Sequence, residues 1–160
     1  MHSFNNKNSA FSLIELIVTI GIIAILIAIA TPIYVSYTIK STVSSGLPIL
    51  EGLKTQAGEY YTANGSFPTS LAAINATSYS DGKYISSSNV INIPYCRTGI
   101  TTSLGAVQVI FSSPTAINGK ILAMYAVDNG SAITWYCTSG DQNCPANGAI
   151  NTDYLPKSCQ

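Results

Sequence analysis

Charged side chains and imidazoles are both scarce in this sequence. Only 9% of its 160 residues are Asp, Glu, Lys or Arg, against about 25% in an ordinary soluble protein, and the only histidine is His2. Histidine-based catalysis and the commonest transition-metal ligand are therefore disfavoured. Seven basic and seven acidic side chains balance, so the charge gives no reason to expect nucleic acid or acidic lipid as the main partner. We expect that the protein is not an enzyme and that it binds no metal or cofactor.

A long apolar run near the N-terminus accounts for much of the missing charge. No charged side chain lies between Glu15 and Lys40, a gap of 24 residues, and 15 of the 18 residues in 13–30 are apolar. About 20 such residues in a helix span the roughly 30 Å hydrocarbon core of a bilayer. A cleaved secretory signal has a shorter apolar core and a small-residue cleavage site, whereas Thr31 and Pro32 follow this run. A retained membrane helix fits better, with a generic signal anchor as the alternative.

Glu15 is the one charged side chain inside this run. A carboxylate in an apolar helix costs several kcal/mol unless it is paired or close to water, which makes Glu15 a functional candidate. Because it stands near the start of the run, simple solvation at the membrane interface is the competing interpretation. A small residue, Ala10, stands immediately before Phe11 and the run. These two details distinguish the segment from a generic anchor.

The start of the run also carries a family pattern. Residues 10–16 read A-F-S-L-I-E-L, and Pro32 follows the run. The pattern resembles the N-terminus of type IV pilins, with Ala10 where the family usually has Gly. The resemblance implies that a prepilin peptidase cuts between Ala10 and Phe11 and methylates the new amine. It further implies that Glu15 neutralises the amine of a neighbouring subunit in the filament core, and that Pro32 belongs to the assembly helix.

Apolar residues continue at helical spacing beyond the membrane segment, in steps of three and four along one face. The positions are Ile39, Val43, Leu47, Leu50, Leu53, Ala57 and Tyr60. The pattern predicts one helix from near Phe11 to about Ala63, ended by Gly65. Pro32 and Pro48 each remove an amide donor, so we predict a kink at both. A true helix end at Pro48 is the alternative.

The remainder of the chain has the short β-rich runs of a sheet. Strands are predicted at 84–93, 106–111, 121–127 and 132–137, where Val, Ile, Tyr and Trp are frequent. Asn118-Gly119 and Asn129-Gly130 fall between strands, where turns need positive φ. The predicted fold class is α+β: a long N-terminal helix, with a transmembrane half and an amphipathic half, packed on a four-stranded antiparallel sheet.

All four cysteines, Cys96, Cys137, Cys144 and Cys159, follow the membrane segment. An even number in a small head facing an oxidising space indicates disulfides, and the absence of a CxxC pair disfavours zinc. Four cysteines allow three connectivities, which the spacing leaves open. The stretches W-Y-C ending at Cys137 and L-P-K-S-C ending at Cys159 are similar to the C-terminal loop of pilins. That resemblance implies Cys137–Cys159, leaving Cys96–Cys144, and a disulfide-closed C-terminal loop.

The resemblance implies a structural protein, the precursor of a type IV pilin of the major, type IVa kind. It divides the chain into a cleaved leader, 1–10, a transmembrane and filament-core helix, 11–38, and a periplasmic, later extracellular, head, 39–160. The expected partners are other copies of the chain, the prepilin peptidase, the pilus assembly machinery and the inner membrane. The expected location is the inner membrane for the monomer, then a surface filament of a Gram-negative-type bacterium that serves adhesion, twitching motility or DNA uptake.

Three other functions compete with this interpretation. A minor pilin or a pseudopilin of a type II secretion machine shares the N-terminus and fold. A pilin whose head binds DNA or a host surface is the second, for which Lys83, Arg97 and Lys120 are a candidate basic patch. A membrane-anchored enzyme is the third, and the lack of histidine and of a nucleophile motif disfavours it.

Overall fold

The computed structural model describes residues 11–92, 103–130, 132–140 and 148–160. The chain divides into two compact units, one ending at Tyr37 and the other comprising Thr38–Gln160. The leader and the cysteines at 96 and 144 lie outside the described residues. The predicted long helix and four-stranded antiparallel sheet are confirmed.

Two consecutive helices form the N-terminal part of the fold. Helix α1 is Leu13–Ser45 and helix α2 is Leu47–Asn64. Helix α1 continues through Pro32, one of the two predicted kink sites. The helices are separated only at Gly46, whose backbone remains right-handed helical, and Pro48 lies in the first turn of α2. A proline fits there because its missing N–H is one of those left unbonded at a helix start.

Helix α2 ends as its sequence predicts. Gly65 adopts φ 68°, in the left-handed region, and its N–H donates to the carbonyl of Tyr61 at 2.8 Å. Glycine is favoured here because it carries no Cβ to oppose that conformation.

Four antiparallel strands form one sheet in the order β1-β2-β3-β4. Their bounds are Ile85–Ile91 for β1, Ser103–Phe111 for β2, Ile121–Asp128 for β3 and Ile133–Ser139 for β4. Every strand overlaps a predicted run. Strand β2 begins earlier than predicted, with an irregularity in its pairing with β3 between Ser103 and Gly105.

One face of the sheet packs on the helices of the second unit. Ile39 and Val43 from the end of α1, with Leu50, Leu53 and Ala57 from α2, are buried in the same cluster as apolar residues of β1, β2 and β3. Partly buried apolar residues of β4 pack against this cluster. These helical residues are members of the stripe at steps of three and four, which is why that stripe predicts the buried face. A smaller cluster contains Ala106, Tyr125 and Val127.

Candidate assembly site

Helix α1 begins with a local capping arrangement around Glu15. The N–H of Leu16 donates to the carbonyl of Ser12 at 3.3 Å, which makes Ser12 the N-cap. The N–H of Ser12 in turn donates to Oε2 of Glu15 at 3.1 Å. This is the return half of an S-x-x-E capping box. We did not predict this role for Glu15 from the sequence, although the spacing of Ser12 and Glu15 is its signal.

The apolar side chains of α1 in the first unit are exposed on all sides of the helix. Leu13 exposes 74% of its surface and Val35 still exposes 49%, and the consecutive residues Leu16, Ile17 and Val18 all exceed half. Consecutive residues point around the full circumference of a helix. Each such side chain gains about 1.5–3 kcal/mol when it leaves water. The helix is therefore suited to an apolar surrounding of lipid or protein.

The threonine hydroxyl groups within the apolar run and directly after it are bonded to the helix itself. Thr19 donates to the carbonyl of Leu16 at 2.8 Å, and Thr31 donates to the carbonyl of Ile27 at 2.8 Å. An unsatisfied polar group in hydrocarbon costs several kcal/mol, so these bonds make both threonines compatible with an apolar environment. Among the described residues, this is also the one helix long and apolar enough to cross a membrane.

Glu15 is the only charged side chain of α1 before Lys40. No basic side chain within residues 11–39 can neutralise it. The residue at the expected new N-terminus, Phe11, exposes 89% of its surface, and Ala10 lies outside the described residues. The arrangement leaves a carboxylate at the start of an exposed apolar helix, able to accept a cation from another molecule.

The C-terminal tail is fixed to the sheet by a disulfide. Cys137 in β4 is bonded to Cys159, with their Cα atoms 4.5 Å apart. This is the pairing that the pilin resemblance implies. Closing a loop of 22 residues reduces the conformational entropy of the unfolded chain, which stabilises the fold by about 3 kcal/mol. The second expected pairing, Cys96–Cys144, lies outside the described residues.

A hydrogen bond joins α2 to the turn between β3 and β4. The hydroxyl of Tyr61 donates to Oδ2 of Asp128 at 2.8 Å, and the N–H of Gly130 donates to Oδ1 at 2.7 Å. These donors, the Gly130 N–H above all, lower the pKa of Asp128 below its usual value. The same bond to the carboxylate raises the pKa of Tyr61. The pair holds the end of the helix against the hairpin.

Two members of the candidate basic patch, Lys83 and Lys120, lie among the described residues. The ammonium of Lys83 lies 4.6 Å from the ring centroid of Tyr84, and the backbone of Lys83 donates to the carboxylate of Asp81. Arg97 lies outside the described residues. Within those residues no group of three His, Cys, Asp or Glu side chains is placed to hold a metal ion.

Comparisons with known proteins decide the family. A family model described as pilin, a bacterial filament protein, matches residues 39–160. A model of the prokaryotic N-terminal methylation motif matches residues 5–31. The chain belongs to the pilin family. Pilins are structural subunits of a filament, not enzymes, and the apolar helix and the disulfide-bonded head of this pilin fit that role.

Relatives of this pilin match over nearly its whole length. It is 31% identical to a fimbrial protein of Neisseria meningitidis serogroup A, over 98% of this chain and 96% of the relative. It is also 31% identical to the type IV major pilin protein PilE1 of Neisseria gonorrhoeae, with the same coverage. The fimbrial protein EcpC of Eikenella corrodens is 32% identical over 94% of this chain and 89% of its own.

Proposed function

We propose that this pilin is made with a leader, residues 1–10, that a prepilin peptidase removes between Ala10 and Phe11. The methylated product polymerises through α1 into a surface filament. The observation that carries the proposal is the apolar surface of α1, exposed on all sides between Leu13 and Tyr37 with Glu15 as the only charge of that segment. The motif model that matches residues 5–31 supports the cleavage and the methylation.

The proposed monomer waits in the inner membrane with its head, residues 39–160, in the periplasm. Tyr34 lies 19 positions after Glu15, so the helix rises about 28 Å between them, close to the hydrocarbon thickness. Glu15 then lies at the inner boundary, where its carboxylate reaches water. Tyr34 lies at the outer boundary, a depth at which tyrosine rings are enriched.

Polymerisation moves Glu15 from that boundary into a protein core. The assembly machinery extracts the subunit, and apolar helices of neighbouring copies replace lipid around α1. A carboxylate without water then needs a cation, and cleavage supplies one as the amine of Phe11 in a neighbouring subunit. Removing one partner of a buried pair costs about 3–5 kcal/mol. The pair therefore fixes the docking position of each incoming subunit along the filament core. Pro32 lies in the same helix and is also part of that core.

The filament serves adhesion, twitching motility or DNA uptake. The relatives are named fimbrial proteins and major pilins, which favours an abundant filament subunit over a minor pilin or a secretion pseudopilin. A deletion strain scored for all three phenotypes assigns the use, and the abundance of the chain in sheared filaments separates a major pilin from the alternatives.

Two measurements test the processing and the assembly step. Mass spectrometry of sheared filaments is expected to find a subunit that begins at methylated Phe11. Glu15→Gln is expected to remove most surface filament while the precursor remains in the membrane, because Gln retains the capping reach to the Ser12 N–H but carries no charge.

Glu51→Gln is the matched control for the charge. Glu51 is exposed in α2 and pairs with Lys54 at 2.9 Å, so this variant loses a carboxylate of the head and is expected to assemble normally. Filaments of wild-type abundance from Glu15→Gln, or a filament subunit that begins at Met1, would contradict the proposal.

A further inference from the structure

A groove of about 410 Å³ lies between α2 and the C-terminal tail. Its lining includes Glu51 of α2, Met124 of β3, Trp135 and Cys137 of β4, and Ser158 of the tail. Met124 belongs to the core cluster that packs on the helices, and Trp135 and Cys137 pack against that cluster. The groove is therefore on the helix side of the sheet. It leads from solvent to the disulfide that holds the tail on β4.

The two cysteines of this disulfide differ in exposure. Cys137 is partly exposed and lines the groove. It stands directly opposite Met124 in the pairing of β3 with β4, and opposed residues share a face of the sheet. Its side chain is therefore on the groove side. Cys159 is only 4% exposed and belongs to the buried core cluster. A thiolate in solution reaches the sulfur of Cys137 more easily than that of Cys159.

A hydroxyl group lies beside the buried sulfur. Ser158 Oγ is 3.7 Å from Cys159 Sγ. A disulfide sulfur carries no hydrogen, so the serine hydroxyl is the donor of this contact. Hydrogen bonds to an ionised acceptor are stronger than those to a neutral one. The contact therefore strengthens when the S–S bond breaks and Cys159 becomes a thiolate.

We propose that Cys137 Sγ is a site of thiol–disulfide exchange, at which a small thiol attacks through the groove and Cys159 is the leaving group. The attacking thiolate forms a new S–S bond to Cys137 Sγ while the bond between Cys137 and Cys159 breaks. The electron pair stays on Cys159 Sγ, where the Ser158 hydroxyl stabilises the charge until water supplies a proton. The rate of such exchange depends on which sulfur is attacked, on access to it and on the leaving group. Each of these factors favours attack at Cys137.

A second thiolate completes the reduction. It attacks the sulfur of the small thiol in the mixed disulfide, which releases a small disulfide and leaves Cys137 as a thiolate. Two thiols are thereby oxidised and one protein disulfide is reduced. In the reverse direction, Cys137 carries the mixed disulfide and the Cys159 thiolate closes the loop by attacking Cys137 Sγ. This exchange requires neither the processing nor the polymerisation of the proposed function.

The position of the first mixed disulfide tests the proposal. The full-length chain in detergent is treated with reduced glutathione, quenched with acid at early times and alkylated at its free thiols. Peptide mass spectrometry is expected to find glutathione on Cys137 and the alkyl group on Cys159, in about tenfold excess over the opposite arrangement or more. In urea both sulfurs are accessible, and the two arrangements are expected to approach equal amounts.

Two results of this experiment overturn the proposal. The first is an equal distribution of glutathione between Cys137 and Cys159 in the folded chain, or an excess on Cys159. The second is a bond that exchanges only in urea, since this result would mean that the groove gives no access to Cys137.

A matched pair of variants tests the route through the groove. Glu51 and Glu59 are both exposed in α2, and of these two only Glu51 lines the groove. Glu51→Trp is expected to fill the groove and to slow the exchange about tenfold. Glu59→Trp removes the same charge and adds the same ring elsewhere on the helix, so it is expected to exchange at the wild-type rate. Equal rates for the two variants would exclude this route.

The role of the serine hydroxyl has its own test. Ser158→Ala is expected to slow the exchange about two- to tenfold, because the leaving thiolate loses its donor. Ser158→Thr keeps a hydroxyl and is expected to restore the rate, and Thr152→Ala, at an exposed position of the same tail, is the control. A purely structural effect of Ser158→Ala would loosen the tail and speed the exchange. Faster exchange of this variant would therefore contradict stabilisation of the leaving group by Ser158.

Discussion

Gly105 is the residue whose missing side chain the packing of the head most clearly requires. A Cβ built there would collide with the ring of Phe67 and lie 2.7 Å from the carbonyl oxygen of Ile91. Phe67 itself is only 4% exposed, and its ring centroid is 6.1 Å from that of Trp135. The glycine therefore makes room for an aromatic side chain that follows α2 and closes the core.

Gly105→Ala is accordingly expected to lower the free energy of unfolding by about 1–3 kcal/mol, because the ring or the strand must move. Gly58→Ala is the matched control: a methyl group added to this α2 glycine would meet no atom within 4 Å, so alanine is expected to raise stability by about 0.5–1 kcal/mol. Urea unfolding followed by circular dichroism measures both. Equal stability of Gly105→Ala and wild type would contradict the packing argument.

Single residues also show which details a sequence can predict. Gly65 and Gly130 have positive φ, and both follow an asparagine between elements, a local signal that predicts the conformation. The S-x-x-E spacing of Ser12 and Glu15 is equally local. The requirement for glycine at 105 was not predictable, because it arises from Phe67, which is distant in the sequence and meets the strand only after folding.

At the scale of elements, the bond between Tyr61 and Asp128 joins a helix to a hairpin. Among the described residues, two groups donate to the Asp128 carboxylate, and Tyr61→Phe removes one of them. This variant is expected to lower the melting temperature at neutral pH by a few degrees. Tyr60→Phe is the control, because the Tyr60 hydroxyl makes no hydrogen bond among the described residues. Thermal melts of both variants and wild type make the comparison.

The pH dependence of that difference follows from Asp128. Its pKa is lower in the folded chain than the usual 3.8, chiefly because of the Gly130 N–H and then Tyr61. The stabilisation is therefore fully present above about pH 4 and is lost as the pH falls through the lowered folded pKa. The melting temperatures of Tyr61→Phe and wild type are expected to converge below that range. If the difference in melting temperature between Tyr61→Phe and wild type stays constant down to about pH 2, the stabilisation by the Tyr61 hydroxyl does not depend on the ionised Asp128 carboxylate.

Elements were predicted well where one periodicity governs a whole segment. The stripe from Ile39 to Tyr60 predicts the buried face of the helices, and the four β-rich runs predict the strands. Boundaries depend on tertiary contacts and were less accurate. Strand β2 extends back to Ser103 because β3 offers partners as far as Val127, which the sequence around Gly105 does not indicate.

At the scale of the whole molecule, the chain combines an apolar helix with an electrically balanced head. The division into compact units falls inside α1, between Tyr37 and Thr38. Ile39 and Val43 lie just beyond it and are 2% and 0% exposed. The last turns of α1 thus belong to the core of the head, although they continue the helix that carries the apolar surface.

Two truncations test this division. A chain that begins at Thr38 retains Ile39 and Val43 and is expected to be folded and monomeric without detergent. A chain that begins at Leu47 retains all of α2 but loses both side chains, and it is expected to be less stable by about 3–6 kcal/mol, at about 1.5–3 kcal/mol for each buried residue. Urea unfolding gives the free energies, and sedimentation in buffer gives the state of association. Equal stability of the two truncations would place the whole of α1 outside the head. Aggregation of the longer truncation would contradict the assignment of the exposed apolar surface to the segment before Thr38.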